Sequence, residues 1–267
     1  MQRLLVAQEL SKLPVSEAAT AYIKSGSIKH HAQKHAGNRY LLKLDFKDFF
    51  PSITDNAINE LLLRETEFSA EERFIVNQLL LRSPKNERGL RLSIGAPSSP
   101  FVCNWIMYEF DKAVLEYCAA NKIDYSRYAD DMALSTNQPK ALDRAKLYIE
   151  QLLNRMNHLG LSLHEKKTVN VSTKNNRTLT GLVLSNTGTV SIGRDKKRLI
   201  RAQVHSMMNG ALTVEATTKL KGHLSFIHSI DPVFIENLAQ RYNLTGTKLL
   251  VFNPNQQSTG PSGSNSD

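Results

Sequence analysis

The sequence predicts an α+β fold in which a small antiparallel sheet packs on helices, and three observations carry that expectation. Long segments repeat apolar residues at helical spacing, above all 101–120 and 139–159. Short β-branched, aromatic and apolar runs interrupt them, most clearly the two that flank the turn Ala129-Asp130-Asp131. The 267 residues are 41% apolar, enough for one large domain or two modest ones, and no apolar run nears the ~18 residues of a membrane span.

Taken in order, residues 1–24 read as helix, with Leu4, Leu5, Ala7, Leu10 and Leu13 on one face, a break at Pro14 and a second start at Ser16. Ser27 to His35 is basic and rich in histidine. His31 and His35 stand one helical turn apart, but no acidic third ligand follows at matching spacing, so a helical surface near nucleic acid is the better reading than a metal site. Leu41 to Leu44 form a short strand with Asp45 at its end. Phe49-Phe50-Pro51 ends pairing there, and a helix starts near Thr54 or Asp55. Residues 55–82 are helical with a break near Phe68-Ser69, and 83–89 form a loop. Leu90 to Pro100 leads into the long helix, with Gly95 permitting close backbone approach.

Beyond the acidic turn, the 139–159 helix ends at Gly160, and Leu161-Ser162-Leu163 begins a strand. A hairpin joins 177–184 to 189–192 around Asn186-Thr187-Gly188. From Arg194 the chain is helical and initially basic, with further helices near 213–229 and 232–242, and residues 253–267 lack apolar periodicity. Cys103 and Cys118 are too few for a disulfide framework, and the first residues lack the apolar core and cleavage site of a signal peptide, so a cytoplasmic protein without a membrane anchor is expected. A formal charge of +9, from 34 Lys and Arg against 25 Asp and Glu, favours a polyanionic partner over a merely solvated basic face.

Adjacent Asp130 and Asp131 need a physical reason, because like charges about 4 Å apart repel by roughly 4 kcal/mol at an effective dielectric near 20. Either the pair stands in open water or it surrounds a hard cation. Asp45, a carboxylate at the end of another apolar strand, supplies a third acid.

Asp45 before Phe49-Phe50-Pro51-Ser52-Ile53, then Gly95-Ala96-Pro97-Ser98-Ser99-Pro100, then Tyr128-Ala129-Asp130-Asp131, resembles motifs A, B and C of the reverse transcriptase family in their order. Within it the sequence is most similar to bacterial retron reverse transcriptases. His31-Ala32-Gln33-Lys34-His35 resembles their Asn-Ala-x-x-His element, with His31 in place of Asn, and Leu179-Thr180-Gly181 resembles their Val-Thr-Gly element. Ser93 and Ile94 stand where many reverse transcriptases have Pro-Gln.

The resemblance implies a right-hand polymerase fold, with partial fingers and an antiparallel-sheet palm packed on helices over 1–193 and a helical thumb over 194–250; composition makes 251–267 an expected disordered tail. It implies two Mg²⁺ ions held by Asp45, Asp130 and Asp131 with the Phe46 carbonyl. Phe49, Phe50, Gly95, Ala96 and Lys167 are then expected at the deoxynucleotide triphosphate, Phe50 as a steric gate beneath the sugar with core packing as its alternative, and Lys167 as a proton donor to pyrophosphate with a surface lysine beside the template as its alternative. His35, Tyr128, Thr180, Gly181, Leu182, Arg194, Lys197 and Arg198 are expected at primer and template. The expected activity is RNA-directed DNA synthesis on a structured noncoding RNA primed from a 2′-hydroxyl, giving branched multicopy single-stranded DNA, beside an effector protein in defence against bacteriophage. Another bacterial reverse transcriptase, of group II intron or diversity-generating type, and a non-catalytic RNA-binding remnant are the rival readings.

Overall fold

The computed structural model describes residues 1–85 and 89–252. The described residues form two compact units, one of residues 1–180 and 184–189, the other of 181–183 and 190–252.

In the first unit, α1 (Gln2–Gln8) and a 3₁₀ turn at Leu10–Lys12 replace the helix expected across 1–24. Pro14 cannot donate to a helix, and beyond it the small residues Ala18, Ala19 and Ala21 are buried in non-helical chain. That segment forms a parallel bridge between Ala19 and Arg127 instead. Ser27 caps α2 (Ile28–Ala36), its side chain accepting from the His30 amide. Strand β1 (Tyr40–Asp45) is followed by a short helical turn, α3 (Phe49–Ser52). Thr54 caps α4 (Asp55–Glu65), and a reciprocal Ser69–Glu72 capping box opens α5 (Ala70–Leu80).

A small hairpin pairs β2 (Leu81–Arg82) with β3 (Arg91–Leu92). The middle of its loop, residues 86–88, lies outside the described residues. The single helix expected from 101 to 120 is two, α6 (Ser99–Ile106) and α7 (Tyr108–Ala120), separated at Met107. Then follow β4 (Asp124–Tyr128), β5 (Asp131–Thr136) and α8 (Ala141–Arg155). Gly160 closes the α8 segment at φ +69, where an added Cβ would lie 2.8 Å from the Ser52 carbonyl oxygen. Leu161-Ser162-Leu163 gives only an isolated bridge from Leu163 to Phe46, and the strand proper is β6 (Val169–Ser172).

The main sheet has the order β4-β5-β1-β6 and is antiparallel where its pairing is defined. Its buried residues Leu42, Leu44, Met132 and Leu134 join Trp105, Phe110, Val114 and Ile149 from the helices in one apolar core. The helices thus cover the sheet, and the strand ends carrying the acids emerge together.

A three-stranded sheet, β7 (Arg177–Leu179), β8 (Leu182–Leu184) and β9 (Val190–Ser191), carries the chain from one unit to the next. Thr180 at φ +46 and Gly181 at φ +79 divide what reads in sequence as one strand. The second unit continues with α9 (Arg194–Met208), α10 (Val214–Ile230), α11 (Pro232–Gln240) and α12 (Gly246–Val251). Buried Ile200, Val204, Leu220, Leu224, Ile235, Leu238 and Leu249 recur at helical spacing along them. Helix α12 corrects the expected start of a tail at 251: Val251 is helical and Phe252 is buried, because Leu249 and Phe252 complete an apolar face. Residues 253–267 lie outside those described. No helix among the described residues is long and apolar enough to cross a membrane.

Candidate active site

Register brings the acids together. Asp131 pairs with Tyr128 on β4 and with Asp45 on β1, so Asp45 and Asp131 are direct cross-strand neighbours on one face of the sheet. Ala129 and Asp130 form the two-residue turn between the strands, with Ala129 at φ +57. Burial raises the Asp131 carboxyl, and the nearby charges of Asp130 and Asp45 add to it, to a pKa of about 6. Lys167, on a 3₁₀ turn at Glu165–Lys167, donates from Nζ to Asp45 Oδ1 at 2.9 Å and Oδ2 at 3.2 Å. That hydrogen bond raises the lysine pKa, as does the charge of Asp45.

Three crowded oxygen acids, one resisting ionisation, suit a hard divalent cation. Among the described residues no group of three or more His, Cys, Asp or Glu side chains is already drawn in around a cation position. The acids are instead balanced by Lys167, which a cation sharing Asp45 would have to displace or share with.

Beneath the turn lies an ion pair that local sequence patterns do not announce. Arg127 and Asp111 are fully buried, joined by Nη2 to Oδ2 at 2.7 Å and Nε to Oδ1 at 3.0 Å. Arg127 Nη1 donates to the Ala129 carbonyl at 2.9 Å and to Asn104 Oδ1 at 3.2 Å. Tyr125 completes the set, its hydroxyl donating to Asp111 Oδ1 at 2.7 Å. The guanidinium therefore grips the one carbonyl whose residue holds the left-handed bend before Asp130. Neither the mixed strand Asp124-Tyr125-Ser126-Arg127-Tyr128 nor the charged residues Glu109, Asp111, Lys112 and Glu116 of α7 single out this pair in the sequence.

The histidines have a different place from the one their basic surroundings suggest. His35 is fully buried, with Nδ1 2.7 Å from Ser135 Oγ and Nε2 2.8 Å from Ser126 Oγ. Ser126 Oγ also lies 2.8 Å from His31 Nδ1, and His31 stands beside Tyr128 with ring centroids 5.9 Å apart. His35 as a primer–template contact is thus corrected: its two nitrogens tie α2 to β4 and β5, and no edge is left for nucleic acid. Burial holds both rings neutral, lowering the His31 pKa to about 3 and that of His35 well below its usual value.

Phe46 and Phe49 stack at 5.3 Å inside the core, and Phe50 meets Phe49 edge-on at 5.5 Å while remaining half-buried. Phe49, only 3% exposed, is corrected from nucleotide contact to core residue. Phe50 keeps an accessible face. Gly95, exposed at φ +83, and the half-buried Ala96 lie in the loop before α6, where the Ser99 hydroxyl donates to the Ser93 carbonyl at 2.6 Å. Thr180, at φ +46, belongs to the first unit.

In the second unit, Leu182 is buried and Gly181 accepts from Lys196 Nζ at 3.5 Å. Arg194 and Arg198 are exposed. Lys197 is not available to phosphate in the way expected: its ammonium pairs with Asp231 at 2.6 Å and lies 5.0 Å from the Phe234 ring centroid.

The pattern of the family described as reverse transcriptase (RNA-dependent DNA polymerase) matches residues 1–184. The chain belongs to the reverse transcriptase family. This reverse transcriptase is of the retron type: it is 36% identical over 231 residues to the retron Ec83 reverse transcriptase of Escherichia coli, covering 85% of the chain and 74% of that relative. The retron Ec73 reverse transcriptase of the same organism is 31% identical over 257 residues, 91% of the chain and 79% of the relative. Membership makes it an RNA-directed DNA polymerase that depends on a divalent metal and uses an RNA template. A solved telomerase from Candida albicans, in complex with a fragment of telomeric RNA, aligns with a TM-score of 0.51 at 12% identity, covering 96% of this chain and 49% of that one. At that identity the likeness concerns the right-hand polymerase fold alone, and the chain spans about half the telomerase's length.

Proposed function

We propose that this reverse transcriptase copies a cognate structured noncoding RNA into multicopy single-stranded DNA, priming from a 2′-hydroxyl of a guanosine in that RNA and leaving a branched RNA–DNA product. The observation that carries the catalytic part is the cross-strand pairing of Asp45 with Asp131 beside the Ala129-Asp130 turn. The retron part rests on similarity to the two Escherichia coli enzymes.

Asp45, Asp130 and Asp131, with the Phe46 carbonyl, are the groups that would hold two Mg²⁺ ions. Bound there, the ions supply a lowered pKa for the attacking hydroxyl and positive charge for the phosphates. Lys167, protonated and hydrogen-bonded to Asp45, carries a proton at Nζ for the departing pyrophosphate of a deoxynucleotide triphosphate. The accessible face of Phe50 lies under the sugar and leaves no room for a 2′-hydroxyl. Gly95 and Ala96 let the backbone approach the nucleotide. Tyr128, Thr180 and Gly181 border the primer and template, while the buried Leu182 lies in the core.

The first unit corresponds in this reading to partial fingers and palm, and the helices from Arg194 to a thumb whose exposed Arg194 and Arg198 follow the duplex phosphates. A cytoplasmic setting, an effector protein partner and a role in defence against bacteriophage complete the proposal by family likeness. The test is to recover RNA bound to the protein in cells and treat the DNA made on it with a debranching enzyme. A single bound RNA species joined 2′–5′ to DNA is expected. DNA extended only from ordinary 3′ ends would contradict the retron priming.

A further inference from the structure

Residues 16–26 form a strap along the outer edge of β4. The Arg127 amide donates to the Ala18 carbonyl at 2.7 Å, and the Thr20 amide and hydroxyl donate to the Arg127 carbonyl at 2.8 and 2.9 Å. Asn104 Nδ2 donates to the Ala21 carbonyl at 2.9 Å. Directly after these anchors Tyr22 adopts φ +62 with its side chain exposed, the residue being 53% accessible. Such a backbone is unfavourable for a tyrosine, and an exposed ring regains little by burial. The strap folds back closely at Gly26, where an added Cβ would lie 2.2 Å from the Thr20 carbonyl oxygen. Because the Ala19–Arg127 bridge is parallel, the strap runs with β4 toward the Ala129–Asp130 turn, and Tyr22 follows the anchors at that end; burial raises its phenol pKa, and Cys103, Asp130 and Tyr128 add to it.

Direction follows from the reaction. In phosphoryl transfer the attacking and departing oxygens lie roughly in line on opposite sides of phosphorus. The sheet order β4-β5-β1-β6 sets Asp45 and its Lys167 on one side of the Asp130–Asp131 hairpin, and the strap beside β4 on the other. If Lys167 meets the pyrophosphate, as proposed above, the end of the growing strand approaches from the β4 side. There Tyr22 offers an exposed aromatic face. Stacking on such a face tolerates any base, as the end of a strand of changing sequence requires.

We propose that Tyr22 is a substrate-contacting residue that packs against the terminal nucleotide of the growing strand and seats its hydroxyl beside Asp130. This rests on the reading of Asp45, Asp130 and Asp131 as the reaction centre.

The test uses the full chain and a DNA primer, ending in 2-aminopurine, annealed to an RNA template. Wild-type protein is expected to quench the terminal fluorophore by stacking. Tyr22→Ala should remove the quenching and weaken primer–template affinity about 10-fold, the scale of one lost base–aromatic stack. It should leave the KM for deoxynucleotide within about 2-fold, since that side of the centre is untouched. Tyr22→Phe should behave as wild type. Tyr22→Gly, which suits φ +62, should keep the thermal stability yet lose the quenching, separating the ring from the backbone. Wild-type affinity and quenching in Tyr22→Ala, or a rise in deoxynucleotide KM alone, would overturn the proposal. Asp130→Asn run alongside should bind and quench normally but incorporate nothing; incorporation by it would mean instead that the reaction centre is misassigned.

Discussion

Ala129 holds a left-handed backbone at φ +57, which costs a non-glycine residue about 1 kcal/mol, and the Arg127 guanidinium is what keeps its carbonyl in place. Replacing Arg127 by Met leaves Asp111 as a buried, unpaired charge, so a loss of about 3–5 kcal/mol is expected in urea unfolding. Arg127→Met combined with Asp111→Leu should recover much of that stability but not the rate of DNA synthesis, because the Ala129 carbonyl still lacks its donor. Recovery of both together would show that Arg127 acts only through folding. The two phenylalanines before Pro51 separate in the same manner. Phe50→Ala should raise ribonucleotide incorporation relative to deoxynucleotide, read as the ratio of kcat/KM values. Phe49→Ala should leave that ratio unchanged and lower stability by about 3 kcal/mol, as a large core truncation does. The sequence alone groups these residues because they are adjacent. Their difference comes from α3, whose helical turn aims one ring inward and leaves the next half-covered.

At the scale of elements, the sheet with its acidic hairpin was legible because its information is local: alternating apolar runs, a two-residue turn and an acid at a strand end. Asp45 and Asp131 emerge together because register follows from those runs. The strap was not legible. Its partner, Arg127, is more than a hundred residues away, and the chain after Pro14 reads as a helix restarting at Ser16 until the edge strand takes up its backbone groups. Helix α2 was recognised as a helix but its face was misjudged, since a histidine-rich basic segment looks exposed until hydroxyls from β4 and β5 are found opposite it. That burial has a pH consequence. His31 and His35 are neutral in the folded protein and titrate near their usual 6.5 when unfolded, so the unfolded state binds more protons below that value. Their contribution is therefore fully present above about pH 6.5 and falls as pH drops below it, for His31 down to about 3, by up to about 1.4 kcal/mol per pH unit for each ring. Urea midpoints measured between pH 7 and 5 should fall with acid, and less steeply in His31→Asn. An unchanged slope in that variant would count against its buried neutral ring.

For the whole molecule, the formal charge of +9 and the exposed Arg194 and Arg198 predict an RNA affinity whose logarithm falls linearly with the logarithm of salt concentration. Arg198→Ala should make that slope shallower by about one counterion, whereas Lys197→Ala should mainly destabilise the second unit, because its ammonium already serves Asp231. The basic composition was enough to foresee a polyanion; which lysines were committed elsewhere depended on helices packing α9 against α11, beyond any local pattern. The central claim, that Asp130 and Asp131 on their hairpin together with Asp45 form the centre of DNA synthesis, is tested most directly by primer extension on an RNA template with Mg²⁺, wild type beside Asp130→Asn. Incorporation by the wild type and none by the variant, with equal primer–template binding, is the predicted result. Equal incorporation by both would contradict it.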